Sequence, residues 1–117
     1  MQYEVRRSDT HLEVTLSGVP SIPEVLSMLR DLLQRRHGLK AALVEVKVAM
    51  GLDFVGTQFL VEELPRLGFP PDFKFAVLLL DEQARRAADF AQEVAENRGI
   101  PIQVFSDRDA ALAWLRC

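Results

Sequence analysis

From Ala42 to the end of the chain, short apolar runs alternate with helical stripes, and this alternation limits the chain to an α/β fold. Ala42 to Val48 places Val44, Val46 and Val48 on one side and Glu45 and Lys47 on the other. Lys74 to Leu80 is apolar almost throughout, which fits a central strand covered on both faces. Ile102 to Phe105 makes a short third run. Between and after these lie helical patterns. The first runs from about Phe54 to Leu64, with Val55, Phe59, Leu60 and Leu64 as its stripe, and fades at Pro65, which tolerates no interior helical position. The second is capped by Asp81, shows Ala84, Ala87, Ala88, Ala91, Val94 and Ala95 on a narrow face, and stops at Gly99. The last is capped by Ser106 and turns Ala110, Ala111, Trp114 and Leu115 inward.

Ahead of this alternation, Tyr3 to Arg7 and His11 to Ser17 read as strands joined by Ser8-Asp9-Thr10, a connection short enough to require an antiparallel pair. Leu12, Val14 and Leu16 alternate with His11, Glu13, Thr15 and Ser17 at the period of a half-buried strand. Ser21-Ile22-Pro23-Glu24 has the form of a capping box with proline in the first turn. Ile22, Val25, Leu26, Leu29, Leu32 and Leu33 follow at helical spacing, and Gly38 ends the helix. The expected order is ββαβαβαβα over residues 1–117, one domain. The sheet is mostly parallel with an antiparallel edge strand, since strand–helix–strand units impose parallel neighbours and right-handed crossovers. Polar alternation in the second and third strands leaves part of one sheet face uncovered, so the helices are expected mainly on one face.

Composition removes several function classes. At 117 residues, 49% hydrophobic and 26% charged, the chain is long enough to bury roughly two-thirds of its unfolded surface. A net charge of -3 offers no basic field for nucleic acid or an anionic membrane. The basic cluster Arg35-Arg36-His37 with Lys40 sits at a helix end, where cations complement the dipole. The one cysteine, Cys117, excludes a disulfide framework and suits a reducing cytoplasm. The residues after Met1 lack the apolar core of a signal peptide, and no run approaches the ~18 residues of a membrane span. No phosphate-binding loop, dinucleotide fingerprint or metal-ligand spacing is present, so neither cofactor nor metal is expected.

The junction Val44–Thr57 reads as a strand, a loop and the first turn of a helix, with Asp53-Phe54-Val55-Gly56 at the turn. Such junctions aim backbone N–H groups and helix-terminal side chains into one spot. This Asp-x-x-Gly turn after the third strand, within the ββαβαβαβα order, resembles the switch loop of the STAS family, the anti-sigma-factor antagonists, which carries Asp-Ser-x-Gly. The segment Val104-Phe105-Ser106-Asp107-Arg108-Asp109-Ala110-Ala111-Leu112-Ala113-Trp114-Leu115 is similar to the C-terminal strand and helix of the SpoIIAA-like branch. The resemblance implies a regulatory module in which a partner kinase phosphorylates the serine and the charge at a helix N-terminus switches binding. Asp53 and Gly56 match the pattern; Phe54 replaces the serine and accepts no phosphate.

The candidate binding residues are therefore Met50, Asp53, Phe54, Gly56 and Thr57. Asp53 is an N-cap or a polar recognition group, and Thr57 an ordinary first-turn threonine or a surrogate phosphosite. Phe54 with Phe59, Phe69, Met50 and Leu52 makes an apolar neighbourhood at the strand C-termini, suited to core packing, a protein partner or an acyl-type ligand. His11 and His37 have no neighbouring serine or cysteine to complete a triad, and Glu62-Glu63 reads as a solvated helical face. A receiver domain would need a phosphoacceptor aspartate where the third strand ends Val48-Ala49-Met50. The expectation is a non-catalytic module that binds a protein or a second copy of itself as a homodimer; the alternative is a carrier with an apolar pocket beside Asp53.

Overall fold

The computed structural model describes residues 1–47, 53–79 and 85–117. Its elements are β1 (Gln2–Arg7), β2 (Leu12–Ser17), α1 (Ile22–Arg35), β3 (Ala41–Val46), α2 (Phe54–Leu67), β4 (Lys74–Leu79), α3 (Arg85–Arg98), β5 (Ile102–Phe105) and α4 (Arg108–Arg116). The strands form one sheet in the order β1-β2-β3-β4-β5. β1 is antiparallel to β2, with Val5 opposite Val14, and every other neighbouring pair is parallel. The α/β class, the mostly parallel sheet and the antiparallel edge strand are as the sequence predicts.

The two faces of the sheet are covered unequally. On one, Leu12, Val14, Leu16, Ala42, Phe75 and Ile102 meet Met28, Leu29 and Leu32 of α1, Val61 and Leu64 of α2, and Val94 and Ala95 of α3. On the other, Leu43, Ala76 and Leu78 are covered by Ala111, with Leu112, Trp114 and Leu115 of the same short helix. The residues of β2 that point to this second face, Glu13, Thr15 and Ser17, are only half-buried. Their polarity is what allows that corner to stay open. No helix of the described residues is long and apolar enough to cross a membrane.

Several local expectations are corrected. α2 does not stop at Pro65 but continues to Leu67. Proline in the last turn forfeits only its own bond to Val61, and the end is secured afterwards by Gly68 at φ 111°. The Gly68 N–H donates to Pro65 O at 3.1 Å and the Phe69 N–H to Leu64 O at 3.2 Å. α4 is capped by Asp107, whose Oδ2 accepts the Ala110 N–H at 3.2 Å, and not by Ser106. Ala110 is exposed, and Leu112 packs in its stead beside Trp114. In α3 the packed face includes Phe90, which breaks the small-residue stripe. The proposed cap Asp81, with Val48, Leu80 and Ala84, lies outside the described residues.

The capping box holds: Ser21 Oγ accepts the Glu24 N–H at 3.4 Å and donates to Glu24 Oε1 at 2.8 Å. The far end of α1 is fastened by β1. Arg7 donates from Nη1 to the carbonyls of Arg35 and Arg36 at 2.9 and 2.8 Å, and from Nη2 to His37 O at 3.3 Å. The carbonyls at the helix end carry its negative pole, which the guanidinium neutralises, and the Arg36 carbonyl also accepts the Leu39 N–H at 2.8 Å. Arg7→Ala is expected to lower stability by about 1 kcal/mol, with Arg7→Lys recovering part of it. Urea denaturation checks this, and an unchanged midpoint for Arg7→Ala would show the bonds to be energetically silent.

Candidate functional site

Asp53 turns the chain into α2. Its backbone is extended at φ -77° and ψ 178°, and its Oδ1 accepts the Gly56 N–H at 2.7 Å. The Thr57 N–H donates to Asp53 O at 3.0 Å, which closes the first helical turn. Gly56 is buried, and a Cβ there would sit 3.1 Å from Asp53 Oδ1 and 3.3 Å from Ile22 Cδ1. Glycine is thus present because the head of α1 and the cap both press on this turn, not because the backbone is left-handed.

That crowding decides which side chains face outward. Gly56 and Thr57 point inward, Thr57 being 7% exposed. Phe54 is 53% exposed, Val55 78% and Phe59 43%. Val55 and Phe59 are one turn apart and so share a face of the helix. Phe54 lies to one side of them with its ring against Phe90 of α3, centroids 4.7 Å apart at an interplanar angle of 31°. The apolar surface ends one turn further on, where Glu62 pairs with Arg98 and Glu63 with Arg66.

Of the residues singled out from sequence, Asp53, Phe54, Gly56 and Thr57 therefore share one helical turn, Asp53 and Phe54 outward, Gly56 and Thr57 inward. Met50 and Leu52 lie outside the described residues. Phe69 does not belong to the group. It is buried at the opposite end of α2, where its ring centroid lies 5.0 Å from Phe73 and 5.1 Å from Phe75. The small apolar hollow at that end, about 30 Å³ between Leu64, Pro65, Phe69 and the Pro70-Pro71 turn, is likewise remote from Asp53.

Sequence reasoning missed a second polar cluster. His11 does have hydroxyl neighbours: Ser8 Oγ lies 3.1 Å and Thr10 Oγ1 2.8 Å from its Nδ1. On the other side of the ring, Nε2 lies 3.1 Å from Glu13 Oε1, which also receives Arg108 of α4 at 2.6 Å. His11 is buried at 5% exposure. Desolvation pushes the Glu13 carboxyl up, but hydrogen bonds from His11 and Arg108, with the guanidinium charge, outweigh it and hold the group below the ordinary glutamate range. The constellation resembles a serine–histidine–carboxylate set in composition only. Ser8 Oγ already accepts the amides of Thr10 and His11 at 3.3 and 3.2 Å and donates to His11 O at 2.9 Å, which ties it into the turn. Its task is to hold the hairpin and to tether it to α4. The usable signal was the i,i+2 spacing of His11 and Glu13 on one strand face, immediately after a hydroxyl-rich turn.

No three His, Cys, Asp or Glu side chains converge as metal ligands among the described residues. No protein-family model matches the chain, and no curated protein matches it. Removing the cap tests how far the turn depends on Asp53. Asp53→Ala is expected to cost about 1 kcal/mol, while Asp53→Ser or Asn should retain most of the stability. Thermal unfolding of the three variants checks this, and equal melting of Asp53→Ala and wild type would remove the cap from the account.

Proposed function

We propose that this chain is a non-catalytic interaction module of STAS-like type that docks a protein partner on the head of α2. The observation that carries the reading is the adjacent exposure of Phe54, Val55 and Phe59 at the head of a helix that Asp53 caps and that lies close against Ile22. Single exposed apolar residues are ordinary, but two phenylalanines and a valine within two turns, bounded by ion pairs, form a small contact surface with a polar rim. Aromatic anchors on a rigid element lose little entropy on binding and suit a partner offering an apolar recess. The exposed thiol of Cys117, with no second cysteine in the chain, supports a reducing compartment such as the cytoplasm.

The carrier alternative has less support, because Phe54, Val55 and Phe59 stand exposed on the surface of α2. The interaction reading predicts that Phe54→Asp and Val55→Asp each fold normally and lose the proteins that the wild type retains from native lysate. Recovery of the same proteins by all three would overturn it. Native mass spectrometry of the freshly purified protein separates the alternative, which requires a bound apolar ligand.

A phosphoswitch at this turn has no accessible acceptor. Phe54 carries no hydroxyl, and Thr57 is buried with its amide already bonded to Asp53, so a kinase would have to open the first turn of α2 to reach it. The expectation is no stoichiometric phosphorylation between Asp53 and Thr57. Mass spectrometry of protein from its native cells decides this, and phosphothreonine at Thr57 in a substantial fraction of molecules would overturn it and restore switching by a kinase.

A further inference from the structure

The sheet has two edges, β1 and β5, and they are treated differently. β5 is four residues long, and its outward Val104 N–H is taken by Gln92 Oε1 of α3 at 2.8 Å. β1 is six residues long. The Ser8 N–H donates to His11 O at 2.9 Å, and the Lys47 N–H to Leu16 O at 2.8 Å. Main-chain groups in an antiparallel ladder alternate, so these bonds set the phase: Gln2, Glu4 and Arg6 direct their N–H and C=O groups to β2, and Tyr3, Val5 and Arg7 direct theirs outward. The side chains of this outward set are already held from above. Tyr3 Oη donates to Asp31 Oδ2 at 2.9 Å, Val5 packs on the core and Arg7 grips the end of α1. β1 is thus a fixed edge whose outward donors and acceptors have no partner among the described residues, the form that recruits another strand.

We infer that β1 pairs antiparallel with β1 of a second copy about a two-fold axis at Val5, which makes one continuous sheet through a homodimer. Charge selects this register. A two-fold axis normal to the sheet keeps both faces continuous only if residues of the same face meet, which puts one residue on the axis; Glu4 or Val5 there pairs five residues of each strand, and Tyr3 or Arg6 only three. With Glu4 there, Glu4 faces its own copy; with Arg6 there, Arg6 does. Like charges directly opposite are unfavourable. With Val5 on the axis, Val5 meets Val5, Tyr3 meets Arg7, and Glu4 of each copy meets Arg6 of the other. The outward N–H and C=O groups of Val5, Tyr3 and Arg7 are the ones this register uses. Glu4 and Arg6 fall at the non-hydrogen-bonded position, where opposing side chains lie closest. On the open face, the row then runs Glu13, Arg6, Glu4 of the second copy, Thr15 of the second copy, since Arg6 already stands opposite Glu13 and Glu4 opposite Thr15. Charge on an edge strand ordinarily repels other strands. Here opposite signs two residues apart disfavour the registers with Glu4 or Arg6 on the axis and favour the self-complementary one centred on Val5.

Charge exchange between the copies tests this. Sedimentation velocity of the wild type from micromolar to millimolar concentration is expected to show a species of twice the 13.2 kDa chain mass. Glu4→Arg and Arg6→Glu each place like charges at both contacts and are expected to weaken the dimer roughly tenfold or more. An equimolar mixture of the two variants restores both contacts and should re-form a dimer holding one of each. Val5→Pro removes the N–H at the axis, a change that an outward-facing edge position tolerates, and should leave a folded monomer by circular dichroism. Amide exchange at Tyr3, Val5 and Arg7 should slow as wild-type concentration rises. A wild type that stays monomeric throughout, single variants that dimerise as strongly as wild type, or a mixture that forms no mixed dimer would each overturn the inference.

Discussion

Strands β3 and β4 carry apolar side chains on both faces, Ala42 and Phe75 on one and Leu43, Ala76 and Leu78 on the other, all buried. Water is excluded from both sides of the sheet centre, and the remaining elements are arranged to achieve that. Three helices lie over one face. The other is left to α4, a helix of nine residues that lies against β3, β4 and β5. The cover reaches β3, β4 and β5 and stops short of β1 and β2. The sequence of β2 matches that limit, with Leu12, Val14 and Leu16 under the helices and Glu13, Thr15 and Ser17 on the side that stays half-buried, where Arg108 of α4 reaches across to Glu13. Contrast β4, where alternation disappears because both faces are dry.

The head of α2 follows from the same arrangement. A helix lying on a sheet between two other helices has one remaining face, and in α2 that face carries Val55 and Phe59 at its start and Glu63 and Arg66 at its end. Exposure there is a geometric necessity; an apolar residue there is not. Nothing in the packing requires Val55, which is 78% exposed, to be valine. The turn is closed by the Asp53 cap and lies close against Ile22, so its side chains are presented from a helical backbone, which lowers the cost of ordering on binding.

Basic side chains fasten this assembly at its helix ends. Arg7 from β1 closes the end of α1, and Lys74 at the start of β4 donates to Trp114 O of α4 at 3.0 Å with its ammonium 5.2 Å from the indole centroid. Arg108 joins α4 to the buried His11 through Glu13. Each link joins a strand to a helix far away in the chain. Together they turn cations that in sequence look like surface charge into partners of specific carbonyls and carboxylates.

The element order, the hairpin, the capping box at Ser21 and Glu24, and the Asp53 cap were legible in the sequence because each rests on residues within one turn or one strand. Periodicity reports spacing along an element, and that spacing is the same whatever the element packs against. It does not report phase where a stripe is broken, which is why Phe59, on the outer face of α2, and Phe69, in the core beyond its end, looked alike. Nor did it show that α2 survives Pro65, since the rescue comes from the left-handed Gly68 and the packing of Phe69 on Phe73 and Phe75. The choice of Asp107 over Ser106 as a cap depends on where β5 releases the chain toward α4. The hydroxyl partners of His11, the grip of Arg7 on α1 and the outward-facing donors along β1 depend on which strands become neighbours. Burial on two faces wrote the fold class into local composition; the polar contacts and the open edge arose only when distant elements met, because a hydrogen bond needs a partner at about 3 Å and a sequence does not state distances.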